Sequence, residues 1–576
     1  MNFHRVLCAC TLVLLGGFSL LVSQSPAAEV TSEVSSIRLN QVGFKPGGLK
    51  QAVVTGVHGD QFQVLEAGTG RTVWSGILLP ARRWGPSGET VRLADFSALR
   101  KTGRYVVKTS GQTSHPFQID AGVYEELVAA SLKSFYFNRA GLTLDKRHAG
   151  PWARAMGHPD EQVRFHPSAQ DGQRDDNAII ASAKGWYDAG DFNKYVVNSG
   201  IATYTLLAAY EHFPQFYDPL LLNIPESGGK LPDILDEVLW NLDWLETMQD
   251  SADGGVYHKL TTLNFAPMVM PSEANEARFM VAKSTDAALN FAAVMAVAAR
   301  VFEPLEESLP GYAERYRQAA ISAWSWAQKN PQRRYVQPAD VSTGMYTRPG
   351  LSDEWVWAGV ELFILTQDLT YLQPWENSET SLSTPNWSYV SPLAWVSLAN
   401  HQSQLNDSQS ERVTRVFNQY VETLLDGQRR SAYGVTYGSH ANDFQWGGNS
   451  VALNQALMVI QAYRLNPRPQ LLALAQGNLN YVLGQNALSL SFVTGIGAHT
   501  PMHIHHRASA ADEVVAPVPG LLAGGPNTNG QDQCQYPSDQ PALAYLDDFC
   551  SYTTNEIAIN WTAPLVYVSA AIQSLD

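Results

Sequence analysis

Two aspartates three residues apart stand out in Gly185-Trp186-Tyr187-Asp188-Ala189-Gly190-Asp191-Phe192-Asn193-Lys194-Tyr195. With only Ala189 and Gly190 between them, both carboxylates can hold one water. One would take its proton while the other orients it. Close carboxylates also raise the pKa of at least one of the pair, which suits a base working near neutrality. A Ca²⁺ loop or an ordinary Asp-rich turn is the alternative reading. A third carboxyl, Glu556, lies far downstream in Asp547-Asp548-Phe549-Cys550-Ser551-Tyr552-Thr553-Thr554-Asn555-Glu556-Ile557-Ala558-Ile559-Asn560-Trp561, where a polar loop turns into an apolar helix. Flanked by Tyr552 and Trp561, it would be partly desolvated, its pKa would rise, and it could donate a proton. A Glu held in the first turn of a helix by the dipole is the competing reading. Pro501-Met502-His503-Ile504-His505-His506-Arg507 adds three histidines and an arginine. Metal ligation, hydrogen bonding to sugar hydroxyls and plain surface polarity fit that spacing equally. Acid, base and water together are what inverting glycoside hydrolysis requires, with two carboxyl groups ~6.5–9.5 Å apart to leave room for the water. The 15 Trp and 10% aromatic content would serve either a core or a platform on which sugar rings stack.

The elements that must position these groups fall into two patterns. From 36 to about 120, short alternating runs begin at Ser36, Gln51, Gln61, Arg71, Thr90, Gly103 and His115, separated by turn residues at roughly ten-residue intervals. This is the pattern of a small β-sandwich. From Val123 onward the apolar period becomes helical, with further segments expected near 199–212, 231–249, 285–303, 311–329, 354–368, 389–403, 409–425, 450–464, 469–484 and 556–573. Ser284 is expected to cap the Ala-rich helix that follows it. About a dozen helices joined by long Pro- and Gly-rich connections, notably 138–198, 250–283 and 485–555, suggest a mainly α protein: an α/α barrel or toroid whose loops build the site at one end.

Composition and the N-terminus bound the partners. The chain has 576 residues and a net charge of −15, with 54 Asp plus Glu against 39 Lys plus Arg and no basic run, which excludes nucleic acid as a partner. It favours a soluble monomer. Residues 1–28 read as a signal peptide: Arg5 precedes an apolar stretch from Leu7 to Val22, and Ser25-Pro26-Ala27 offers a cleavage site. A secreted or periplasmic protein follows, with no membrane contact after cleavage. No other run in the sequence reads as long enough to cross a bilayer. Cleavage leaves Cys534 and Cys550, an even pair that suggests a disulfide, with two reduced buried thiols as the alternative.

In this order the three motifs resemble those of family 9 glycoside hydrolases. Ile37-Arg38-Leu39-Asn40-Gln41-Val42-Gly43-Phe44-Lys45-Pro46 resembles the opening of the immunoglobulin-like module that precedes many of these barrels. The stretch beginning Asp253-Gly254-Gly255-Val256-Tyr257-His258-Lys259, together with Trp446-Gly447-Gly448-Asn449-Ser450 and Tyr481-Val482-Leu483-Gly484-Gln485-Asn486, is also similar to the family. The resemblance implies an immunoglobulin-like sandwich over 36–120 and an (α/α)6 barrel over 123–576 that cleaves β-1,4-glucosidic bonds with inversion. By motif position, Asp191 would be the general base, Asp188 would help hold the water and Glu556 would be the general acid. His505, Arg507, Trp446, Tyr552 and Trp561 would contact the sugar; Trp561 stands where some relatives place Tyr. The resemblance implies no cofactor for the chemistry. A structural calcium is implied at Gly350-Leu351-Ser352-Asp353-Glu354, with Asp353 and Glu354 as ligands, but Arg348 precedes it and a cation there would repel Ca²⁺. An endo-acting β-1,4-glucanase on cellulose or a related β-glucan is the principal expectation. An exo-acting β-glucosidase, cellodextrinase or exo-β-glucosaminidase is the alternative, with Asp547-Asp548 or Asp175-Asp176 available to meet a glucosamine amine.

Overall fold

The computed structural model describes residues 35–56, 59–170, 178–439 and 443–575. The expected signal peptide, residues 1–28, and the Asp175-Asp176 pair lie outside the described residues. Ten strands run from Ile37 to Ile119. β1 (Ile37–Arg38), β3 (Gln51–Thr55), β7 (Thr90–Asp95) and β6 (Arg82–Arg83) form one sheet in that order; β2 (Gly43–Phe44), β10 (Phe117–Ile119), β8 (Gly103–Thr109), β4 (Gln61–Glu66) and β5 (Thr72–Ile77) form the other, with β9 (Gln112–Thr113) on β8. The alternation has a plain cause. In β4, Phe62 and Val64 are buried while Gln61 and Gln63 are exposed, and the inward residues of both sheets meet around Phe44, Phe96 and Phe117, whose ring centroids lie 5.4–5.6 Å apart. The strands the alternation does not signal, β2, β6 and β9, have two residues each, too few for a period to register.

Eleven helices of ten or more residues follow among the described residues: α1 (Glu125–Phe137), α2 (Val196–His212), α3 (Asp233–Thr247), α4 (Thr285–Phe302), α5 (Tyr312–Lys329), α6 (Ser352–Thr366), α7 (Ser391–Asn400), α8 (Asp407–Arg430), α9 (Gly448–Leu465), α10 (Pro469–Val482) and α11 (Ile559–Ser574). Six of them pack in a closed cycle, α2–α4–α6–α7–α9–α11 and back to α2. These are apolar nearly all round; in α4 every residue except Arg300 is buried. The others lie against that cycle: α1 on α11, α3 on α2, α5 on α4, α8 on α7 and α9, and α10 on α9. α8 shows why. Its buried Val413, Val416, Phe417, Tyr420 and Val421 form one stripe, continued by the partly buried Leu424 and Leu425, and most of its other residues are polar. Ser284 caps α4, its side chain accepting from the Ala287 N–H. Contrary to the sequence expectation, one segment among the described residues, Thr285–Leu305, is long and apolar enough to span a bilayer. It is 78% buried inside the protein, as a ring helix must be.

From Ser35 on, sandwich and helices belong to one compact unit. Arg38 pairs with Glu89 at 2.6 Å and donates to the Tyr433 hydroxyl. Trp84 lies on Tyr433, centroids 4.1 Å apart, and meets Phe444 edge-on. Gln41 takes the N–H groups of Ala498 and His499, and Lys45 donates to the carbonyls of Gln573 and Leu575 at the C-terminal end of α11. Mixed polar and aromatic contacts of this kind bind the two parts into one body.

Candidate active site

The two aspartates sit on the bent loop leading into α2. Its last residues, Lys194–Tyr195, pair antiparallel with Lys259–Thr261, so the loop carrying Asp188 and Asp191 is held at one edge of a small sheet. Asp188 is buried with both oxygens satisfied: Oδ1 accepts from Asn198 Nδ2 and Oδ2 from the Tyr346 hydroxyl, each at 2.6 Å. Asp191 Oδ2 accepts from Asn193 Nδ2 at 2.6 Å and from the Tyr195 hydroxyl at 3.0 Å, while its Oδ1 takes no hydrogen bond from the described protein. Donors rather than spare oxygens surround both groups, so the Ca²⁺-loop reading of this motif falls. Burial, and then the nearby Asp191, push the Asp188 carboxyl up to about 8; Tyr346 and Asn198 act the other way.

Glu556 comes to the same place from the other end of the chain. It is not a first-turn helical residue: its backbone is extended, paired with His505 in a short parallel bridge, and α11 begins only at Ile559. The helix-dipole reading therefore fails. Its Oε1 accepts the Gly190 N–H at 3.3 Å, and Ile559 donates its N–H to the Asp188 carbonyl at 2.9 Å. Glycine is required at 190. A Cβ there would lie 2.3 Å from the His505 carbonyl oxygen and 3.2 Å from Glu556 Oε1. Burial, then the charges of Asp191 and Asp188, hold the Glu556 carboxyl well above the ordinary range, and only the Gly190 N–H and Arg507 oppose them.

The histidine strip splits by alternation. His503 faces out, and His506 is buried against Ser509. His505 is half-buried, with Nδ1 2.6 Å from the Phe549 carbonyl and its ring stacked on Phe549. That carbonyl can only accept, so Nδ1 carries the proton and Nε2 is left as an acceptor. The strip is no metal centre; among the described residues no group of three His, Cys, Asp or Glu is placed to hold a metal. Arg507 is spent on backbone: Nη1 donates to the Gly190 carbonyl and Nε to that of Ala266, both at 2.7 Å. Asp547 is likewise occupied, accepting from the N–H groups of Met502 and His503 and from Asn555.

These carboxyls line a cleft of about 540 Å³ whose walls carry Phe265, Tyr346, Trp387, Trp446 and Trp561. Trp446 is 43% exposed and lies 5.3 Å from the ring of Tyr552. Trp561 packs flat against Gly447, at φ +77°, where a Cβ would fall 2.6 Å from the indole. Neither His505, Arg507 nor Tyr552 lines the cleft itself. Asp353 and Glu354 stand at the start of α6, away from it. Asp353 Oδ1 meets Arg348 Nη2 at 2.9 Å, and its Oδ2 accepts the Val390 N–H. Cys534 and Cys550 are joined as a disulfide, their Cα atoms 6.4 Å apart.

Residues 124–569 match the model of the family described as glycosyl hydrolase family 9, and residues 32–114 match that of the cellulase N-terminal ig-like domain. The chain belongs to glycosyl hydrolase family 9. It is 38% identical to the xyloglucan-specific endo-beta-1,4-glucanase BoGH9A of Bacteroides ovatus, over 96% of each chain. It is 31% identical to endoglucanase D of Acetivibrio thermocellus, over 96% of this chain and 86% of that one. The solved structure of Bacteroides ovatus GH9 superposes with a TM-score of 0.89 at 37% identity, covering 94% of this chain and 99% of the other. Family 9 membership makes the protein a glycoside hydrolase with an immunoglobulin-like domain at its N-terminal end, and its chemistry needs no cofactor.

Sequence reasoning missed Tyr346. It is the only hydroxyl hydrogen-bonded to Asp188 among the described residues, and it reaches there from a loop where its own φ is +43°, a region L residues seldom occupy. Buried groups hold that loop from behind: Lys259 donates to the Gly344 carbonyl at 2.7 Å, and His258 Nε2 lies 2.9 Å from that of Met345. Lys259 and His258 stand in a motif quoted for the family resemblance; Tyr346 carries no such local signal.

Proposed function

We propose that this family 9 protein is an endo-acting, inverting β-1,4-glucanase. Asp191 takes the proton of the attacking water, Asp188 holds that water, and Glu556 protonates the leaving oxygen. The observation that carries the reading is the meeting of Glu556 with the Asp188–Asp191 loop across Gly190, one carboxyl protonated by burial and facing a pair that can hold water. The aromatic surfaces of Trp446 and Trp561, which line the cleft, contact the sugar; His505, bridged to Glu556, and Tyr552, against Trp446, support that wall from behind. Arg507 acts through the Gly190 and Ala266 carbonyls by fixing the loop. Endo action is favoured because the cleft walls come from segments near 188–195, 265, 344–347, 386–388, 445–454 and 556–561; within the long connections, the stretches 138–184 and 508–550, long enough to block one end of a cleft, contribute no lining residue among those described. We read the closed cycle of six helices with partners outside it as an (α/α)6 barrel. We further propose that the leader exports the chain to the periplasm or beyond as a soluble monomer that carries no membrane anchor once cleaved. The disulfide suits that compartment.

The viscosity of carboxymethylcellulose and of xyloglucan, followed beside reducing ends and product anomers, tests the activity. Viscosity should fall early, and new ends should appear as α-anomers. Faster loss on xyloglucan would extend the resemblance to the Bacteroides ovatus enzyme to substrate. Stepwise monomer release, or glucosamine from a chitosan oligomer, would overturn the endoglucanase reading. Asp191→Asn and Glu556→Gln should each lower kcat by about 10²–10⁴-fold with folding intact.

A further inference from the structure

The start of α6 carries the element at which relatives hold calcium, yet its side chains are arranged around a different cation. Ca²⁺ takes six to eight oxygen ligands at about 2.3–2.6 Å. Here the two oxygens of Asp353 face donors: the Arg348 guanidinium at 2.9 Å and the Val390 N–H at 2.9 Å. Neither can ligate a metal. The guanidinium lies over the Tyr389 ring, 5.5 Å from its centroid, and close against Gly350, where even a Cβ would stand only 3.4 Å from Nη2. It is thus lodged between the loop and the helix start. Glu354 Oε2, Asp353 Oδ1 and Asp286 Oδ1 are buried without a hydrogen bond, but the guanidinium already stands 2.9 Å from Asp353 Oδ1, and among the described residues no three such side chains are placed to hold a metal. The residues do not fit a calcium ion.

We propose that Arg348 is the resident cation of this corner, standing where relatives use Ca²⁺ and tying the loop 344–350 to the start of α6. The loop matters because Tyr346, two residues before Arg348, is the group that holds Asp188. A second tie, from Thr347 Oγ1 to Asp286 Oδ2 at 2.9 Å, pins the same stretch to the first turn of α4. A fixed guanidinium does the job of an ion without a binding equilibrium, so loop order is independent of calcium supply. Arg348 is a positioning residue and touches no substrate.

Thermal unfolding of the full chain in excess EDTA and in millimolar Ca²⁺ tests this. Wild-type curves should superimpose. Arg348→Ser should lower Tm by several degrees in EDTA and recover part of the loss in Ca²⁺, and its kcat should fall and recover in parallel. Arg348→Lys keeps the charge and should hold most of the Tm with no response to Ca²⁺. A wild-type Tm that drops in EDTA and returns with Ca²⁺ would overturn the proposal. So would an Arg348→Ser protein that loses no stability, or one that loses stability and ignores Ca²⁺. None of these outcomes depends on which glucan is cleaved.

Discussion

Glu556 and Asp188 are carboxyls that the protein holds in the protonated form more tightly than water does, and stability must reflect it. A carboxyl whose folded pKa exceeds its unfolded value releases a proton on unfolding at any pH between the two. Its stabilising share is fully present below the unfolded value and is lost as pH rises through the folded one. For Asp188 that window runs from the ordinary 3.8 to about 8; for Glu556 it opens at 4.5 and extends well upward. Glu556→Gln has no proton to lose. Its Tm should match wild type near pH 4 and exceed it by a growing margin toward alkaline pH, as scanning calorimetry at stepped pH would read. Parallel Tm curves would mean that Glu556 ionises as it would in water. The three carboxyls are legible in the sequence because each sits in a short polar motif. Tyr346 is not, because what makes it functional is a left-handed backbone angle and a partner more than 150 positions away. Arg507 is legible as a cation, but its use on the Gly190 carbonyl is a fact of folding that no spacing reveals.

At the scale of elements, the site is a junction of three segments: the bent loop into α2, the bridge of His505 with Glu556, and the loop before α6. Gly190 is where the first two touch. A methyl group there would sit 2.3 Å from the His505 carbonyl oxygen, and that oxygen belongs to backbone with no rotamer to yield. Gly190→Ala should destabilise the protein by about 1–3 kcal/mol, read from denaturant unfolding. By pushing Glu556 from the aspartates it should also reduce kcat roughly 100-fold or more. Wild-type kcat in that variant would mean the two segments are free to part without consequence. The helices themselves follow from period and capping: all eleven long ones fall where apolar residues recur at helical spacing, and Ser284 caps α4. Their arrangement as a cycle is less accessible to the same reasoning. The ring helices are buried all round and lack the one-sided stripe that tells which face meets which neighbour.

At the scale of the molecule, the sandwich is a structural partner of the helical part and not a loosely tethered appendage. Trp84 reaches from it onto Tyr433 and Phe444, and Arg38 is shared between Glu89 and Tyr433. Trp84→Ala should cost about 3–5 kcal/mol and lower a single cooperative calorimetric transition. Two separated transitions, with only the smaller one shifted, would mean that the parts unfold independently. The closed cycle carries a further consequence, one of timing. α11 is the last ring helix in chain order, yet it packs between α9 and α2. The proposed acid, Glu556, stands just before it, 365 positions after Asp191. At about 5–20 residues per second, a ribosome delivers the carboxylate pair roughly 20–70 s before the group that must oppose it. On the proposed roles, a half-made chain has its base and lacks its acid, and its ring of helices is incomplete. On those roles the order of the sequence works as a safety catch: a chain that stops before Glu556 lacks the acid for glycosidic cleavage.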